Sequence, residues 1–75
     1  MTYTVKKKIC GKKYCKNWIK LKNSIDTEKE AEEYIQKQIK RRRYFVENKH
    51  YKKSLLHIYG IFQDEDPFPI KNIED

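Results

Sequence analysis

The run SIDTEKEAEEYIQKQIKRRR, residues 24–43, constrains the fold more than any other stretch of the chain. Thr27 followed three residues later by Glu30 is a capping box, in which the threonine hydroxyl accepts from a helix-opening amide that would otherwise lack a partner. Acidic residues fill the first turns, and Lys40, Arg41, Arg42 and Arg43 close the last, so the charges oppose the helix dipole at both ends. The spacing predicts a helix that puts Ala31, Tyr34, Ile35, Gln38, Ile39 and Arg42 on one face. Within that face Ala31, Tyr34, Ile35 and Ile39 form a narrow apolar stripe, which requires a sheet to cover it.

The cover lies upstream. Tyr3 to Ile9 and Cys15 to Leu21 alternate as strands do, with Gly11-Lys12-Lys13 between them as turn material. A three-residue loop there pairs Cys10 with Tyr14, Ile9 with Cys15, Val5 with Ile19 and Tyr3 with Leu21. One face of the hairpin then carries Tyr3, Val5, Ile9, Cys15, Ile19 and Leu21 toward the helix, interrupted only by Lys7 opposite Asn17. The other face carries Thr4, Lys6, Lys8, Cys10, Tyr14, Lys16, Trp18, Lys20 and Lys22. A two-residue turn would shift the register by one and mix the two classes, which a half-buried sheet resists.

The second half is more ambiguous. Tyr44-Phe45-Val46 and Leu55 to Phe62 are β-branched and aromatic enough for a second hairpin around Asn48-Lys49-His50, although Leu55, Tyr59 and Phe62 also keep helical spacing. Strands are the preferred assignment. Asp66-Pro67-Phe68-Pro69 ends regular structure, because each proline restricts the residue before it as well as itself. The expected architecture is α+β: a small antiparallel sheet made of a β-hairpin and a further hairpin or strand, with one helix packed on one face. Residues 1–63 would form a single basic β-β-α-β(β) domain and residues 64–75 an acidic extended tail. Seventy-five residues support one thin core.

Charge is distributed unevenly. The formal net charge is +7, yet residues 62–75 hold five acidic residues against Lys71, a net of −4 that leaves +11 for the rest. Such a density favours a polyanionic partner; the plain alternative is a solvated lysine-rich surface. On the sorted hairpin face, Lys6, Lys8, Lys16 and Lys20 would meet phosphates, with Lys12 and Lys13 at the turn. Tyr14 and Trp18 would offer rings to sugars or splayed bases. Trp18 has a second reading, packed beneath the second half of the chain against Leu56 or Phe62; exposure is preferred because Lys16 and Lys20 flank it. Tyr14 reads equally well as an amphipathic turn residue. Lys40, Arg41, Arg42 and Arg43 would grip a second stretch of backbone, and the acidic tail could fold over the lysine face as an internal screen.

Catalysis has little support, and the chain is expected not to be an enzyme and to need no cofactor. No carboxylate pair or glycine-rich phosphate loop is visible. Cys10 and Cys15, spaced C-x4-C with His50 and His57 elsewhere, would lie on opposite sheet faces in the preferred register. That arrangement argues against zinc and against a disulfide, and leaves Cys15 as a small core residue. No apolar run of membrane-spanning length and no signal-like segment is present, so a cytoplasmic setting without membrane contact is the default expectation.

A basic hairpin with a glycine turn, a polar step and then DTEKEAEEYI resembles the arm-site DNA-binding domain of tyrosine recombinases (integrases) of mobile elements, over residues 3–40. In that family a sheet precedes a T-K-K-E-A-E helix, and the sheet face enters the major groove. The resemblance implies DNA contact by Lys6, Lys8, Lys16, Trp18 and Lys20. The chain departs from the family in showing two strand-like segments before the helix rather than three, and in carrying no recombinase catalytic domain. The expectation is a small nucleic-acid-binding accessory protein of a phage or mobile element, with DNA favoured and RNA also compatible. The alternative is a small non-catalytic phage-encoded inhibitor, of anti-CRISPR or host-takeover type, that binds a host nucleic-acid-processing or defence complex. A homodimer is compatible with either.

Overall fold

A computed structural model describes residues 1–11, 13–47, 56–64 and 66–75, without the side chains of 45–47. Its elements run β1 (Tyr3–Cys10), β2 (Ile19–Ile25), α1 (Glu28–Glu47), β3 (Leu56–Gln63) and β4 (Lys71–Glu74). The four strands form one antiparallel sheet in the order β2-β1-β3-β4, and α1 covers one face of it. The α+β architecture anticipated from the sequence is the one observed.

The core lies between α1 and that face. Val5, Ile25, Ala31, Ile35, Ile39, Tyr59 and Ile61 are buried there, with Tyr3, Leu21, Tyr34 and Ile73 packed around them. Directly paired residues of an antiparallel sheet share a side, so the rows Val5–Ile61–Lys71 and Lys7–Tyr59–Ile73 point toward the helix. Rows such as Lys6–Gly60–Asn72 point away from it. The helix begins where the capping box places it: the Glu30 amide donates to Thr27 Oγ1 at 3.1 Å.

Four expectations are corrected. First, α1 continues through Tyr44, Phe45, Val46 and Glu47 instead of giving way to a strand. No glycine or proline interrupts the run, and aromatic or β-branched residues cost an established helix only tenths of a kcal/mol, about 0.7 at most. The turn expected at Asn48-Lys49-His50 lies outside the described residues. The strand expected up to Phe62 is present as β3, although its partners are β1 and β4.

Second, β2 starts at Ile19 and reaches Ile25, so the hairpin register differs. The observed pairs are Lys7 with Ile19, Lys6 with Lys20, Val5 with Lys22 and Tyr3 with Ile25, with register shifts on either side of Val5. From Lys6 to Val5 the partner moves two places, leaving Leu21 as an extra residue; a second extra residue falls near Ser24, whose φ is +56°. Such bulges reset the alternation. They let Ile25, not Leu21, fill the core opposite Tyr3, and leave Ile19 on the outer edge at 49% exposure.

Third, Cys10 and Cys15 face each other across a bridge and form a disulfide. Cys15 is exposed, not a core residue. The expectation of opposite faces follows from pairing Ile9 with Cys15; moving that pairing by one residue puts the two sulfurs together.

Fourth, the acidic tail closes the sheet. Asp64, at φ +49°, begins a turn in which the Asp66 amide donates to Gln63 O and the Phe68 amide to Asp66 Oδ1. The Ile70 amide then returns to Ile61 O at 2.8 Å. The prolines thus shape a reversal, and Ile73 brings an apolar side chain back under α1.

Candidate nucleic-acid interface

The sheet face opposite α1 carries the densest set of sequence-predicted site residues. Lys6 and Lys20 are a direct cross-strand pair, and Lys8 lies on the same side two residues along β1. Beneath them a ring pair forms the floor: Trp18 meets Phe62 edge-on, with centroids 5.1 Å apart and planes at 83°. Phe62 is only 1% exposed, so Trp18 and the lysine stems serve as its cover. Lys6 Nζ stands 4.5 Å from the centre of the Phe62 ring and Lys8 Nζ 4.7 Å from that of Trp18. Both distances fall within the cation–π range.

Gly60 makes this floor possible. A Cβ there would meet Phe62 Cε1 and Trp18 Cη2, each at 2.9 Å. The absence of a side chain in the middle of β3 lets the indole of Trp18 reach across β1 onto β3. Trp18 is accordingly half-buried, which corrects the preferred exposed reading in favour of packing against Phe62. It is not an open stacking platform; its contribution is to pack on Phe62 and to set a ring against the Lys8 ammonium. Sequence reasoning does not single out Phe62 and Gly60 as site residues. The signal that points to them is a glycine inside a strand pattern, which marks close approach of another group.

The segment between β1 and β2 projects more of the candidates. Lys13, Tyr14 and Lys16 are exposed, Tyr14 at 73%, and Lys12 lies outside the described residues. The Gly11 amide donates to Tyr14 O and the Lys16 amide to Ile9 O, both at 2.9 Å, inside and beside the loop closed by the disulfide. Lys22, expected on the same face, turns to the helix side, where its Nζ lies 5.5 Å from the Tyr34 ring centre. The bulge at Leu21 reverses its direction.

The helical cluster is not one surface. Lys40 and Arg41 are exposed. Arg42 Nη1 binds Asp75 Oδ2 at 3.0 Å, and Arg43 Nε lies 3.5 Å from Asp75 Oδ1. Lys71 Nζ pairs with Glu32 of α1. The acidic end of the chain is therefore engaged with the helix, which corrects the expectation of a screen over the lysine face. On the open face, Glu74 stands at the far edge, in the row Lys8–Ile58–Glu74, with β3 between it and Lys8.

His57 sits at the end of this helix-side layer, opposite Ile9, and its backbone pairs with that of Asp75. Burial, reinforced by the positive charges of Arg42 and Lys7 and only partly offset by Asp75, holds its pKa below the usual histidine value. Its buried Nδ1 makes no hydrogen bond among the described residues. At neutral pH it is an uncharged packing residue. Among the described residues, no group of three or more His, Cys, Asp or Glu side chains is placed to hold a metal ion.

Comparison with protein-family models, with curated proteins and with solved structures finds no match to this chain.

Proposed function

We propose that the chain is a nucleic-acid-binding module that grips the phosphate backbone with the open face of its sheet and the adjoining hairpin loop. The observation that carries this is the sorting of charge. Among the described residues, the ion pairs lie on the helix side, whereas Lys6, Lys8, Lys16 and Lys20 have no carboxylate within salt-bridge reach. Four ammonium groups gathered on a sheet face and its loop repel one another until a polyanion offsets them. Release of condensed counterions then supplies the binding free energy.

The closed Trp18–Phe62 floor favours backbone contact over base stacking, and Tyr14 is the exposed ring available for a sugar or base edge. The exposed lysines of the β1–β2 loop, taken with the family resemblance over residues 3–40, favour duplex DNA as the polyanion. The residues assigned to phosphate contact are Lys6, Lys8, Lys13, Lys16 and Lys20, with Lys40 and Arg41 on the opposite layer left out of the primary contact.

The test compares two charge reversals. Lys16→Glu with Lys20→Glu should abolish measurable binding to a generic duplex while the fold is retained, and milder Lys→Gln versions should flatten the dependence of log affinity on log salt by about 0.9 for each phosphate no longer neutralised. Lys37→Glu with Lys40→Glu on the helix should weaken binding much less. Equal weakening by the two pairs would mean that net charge, not the sheet face, governs association.

A further inference from the structure

The tip of the β1–β2 hairpin is tied by a covalent bond that lies outside the main core cluster. Ladder pairing between the two strands ends at Lys7 and Ile19. Beyond it, the described ties across the hairpin are the Cys10–Cys15 bridge with its disulfide, the hydrogen bonds from the Lys16 amide to Ile9 O and from the Gly11 amide to Tyr14 O, and the contact of Lys8 with the Trp18 ring; the disulfide is the covalent one. None of the core cluster residues lies in this loop. The two sulfurs differ in access: Cys10 is 7% exposed, whereas Cys15 stands in solvent. The exposed side chains within this loop and next to it are those of Lys13, Tyr14 and Lys16.

We infer that the Cys10–Cys15 disulfide is a redox-responsive clamp on nucleic-acid binding: oxidised, it presents Lys13, Tyr14 and Lys16 in one arrangement; reduced, it releases them while sheet and helix stay formed. The inference rests on the nucleic-acid reading of the same surface. A dithiol reductant supplies the two electrons. Its thiolate attacks the exposed Cys15 sulfur, the S–S bond breaks, and Cys10 leaves as a thiolate that takes up a proton. The second thiol of the reductant, deprotonated, then displaces Cys15 from the mixed disulfide. Two protein thiols and one oxidised reductant result.

An ordered loop binds more tightly than a loose one because fewer rotamers and backbone states have to be frozen on binding. Releasing three contact residues should weaken binding about tenfold. The experiment measures anisotropy of a fluorescein-labelled duplex DNA with the full chain, oxidised and after dithiothreitol, alongside circular-dichroism melts under both conditions. The expected result is a cooperative melt in both states and about tenfold weaker binding when reduced. Cys10→Ser with Cys15→Ser should reproduce the reduced value and be insensitive to dithiothreitol. In the triple variant Lys13→Ala, Tyr14→Ala, Lys16→Ala, measured oxidised and reduced, the difference between redox states should vanish. Equal affinity in both states overturns the clamp, as does a redox difference that persists in the triple variant or a loss of the cooperative melt on reduction. Absence of binding in both states overturns the nucleic-acid function, and the clamp with it.

Discussion

Gly60 is the residue on which the open face turns. Its missing side chain admits Trp18, which covers Phe62 and supports Lys8. Gly60→Ala should force both rings to move, at a cost of about 1–3 kcal/mol typical of overpacking. Chemical denaturation should register that cost, and the emission of Trp18, the lone tryptophan, should shift to the red as the indole lifts into water. An unchanged spectrum with unchanged stability would mean that the indole does not lie over β3. His57 makes a second prediction at this scale. Its folded pKa lies below the ordinary value, with burial the largest cause, so the unfolded chain takes up the proton first. Stability contributed by neutral His57 is fully present above about pH 6.5 and declines as pH falls through that value toward the folded pKa. Melting temperatures between pH 7.5 and 5 should drop more steeply in the wild type than in His57→Gln; parallel curves would place the imidazole in water.

Among the elements, α1 is the most legible in the sequence and β4 the least. The capping box, charge asymmetry and apolar stripe are local features, and each names the helix independently. Thr27→Ala should cost about 1 kcal/mol through loss of the bond to the Glu30 amide, with thermal melting as the readout; a change below a few tenths would deny the cap. Sequence alone stops α1 at Arg43 because Tyr44-Phe45-Val46 favour strands, yet no residue there ends a helix. The strand Lys71–Glu74 has one apolar residue, Ile73, too few for alternation to show, and it forms because β3 offers an unpaired edge. Register in the hairpin escapes the sequence for a related reason. A regular ladder cannot anticipate extra residues at Leu21 and near Ser24, and these bulges decide that Ile25 is buried and Lys22 faces the helix. The lysine side of β1, which depends on simple alternation within one strand, is legible in full. The disulfide is not, because Cys10 opposes Cys15 in a register offset by one residue both from the regular hairpin expected and from the ladder at Lys7 and Ile19.

For the molecule as a whole, the sheet separates charge. Asp75 and Glu32 answer Arg42, Arg43 and Lys71 on the helix side, while the β1–β2 end of the opposite face keeps its lysines without carboxylate partners among the described residues. That division makes a sidedness claim, which net charge alone would not: a polyanion should contact Lys6, Lys8, Lys16 and Lys20 and leave α1 in solvent. Among the described residues, no helix is long and apolar enough to cross a membrane. The most direct test of the central claim is the salt dependence of duplex DNA binding for the wild type beside Lys16→Gln with Lys20→Gln and, as a charge-matched control, Lys37→Gln with Lys40→Gln. The account predicts a linear fall of log affinity with log salt in the wild type, a slope shallower by about 1.8 in the sheet-face variant, from two phosphates at about 0.9 each, and a near-wild-type slope in the helix variant. Identical slopes in all three proteins, or no salt-dependent binding by the wild type, would contradict it.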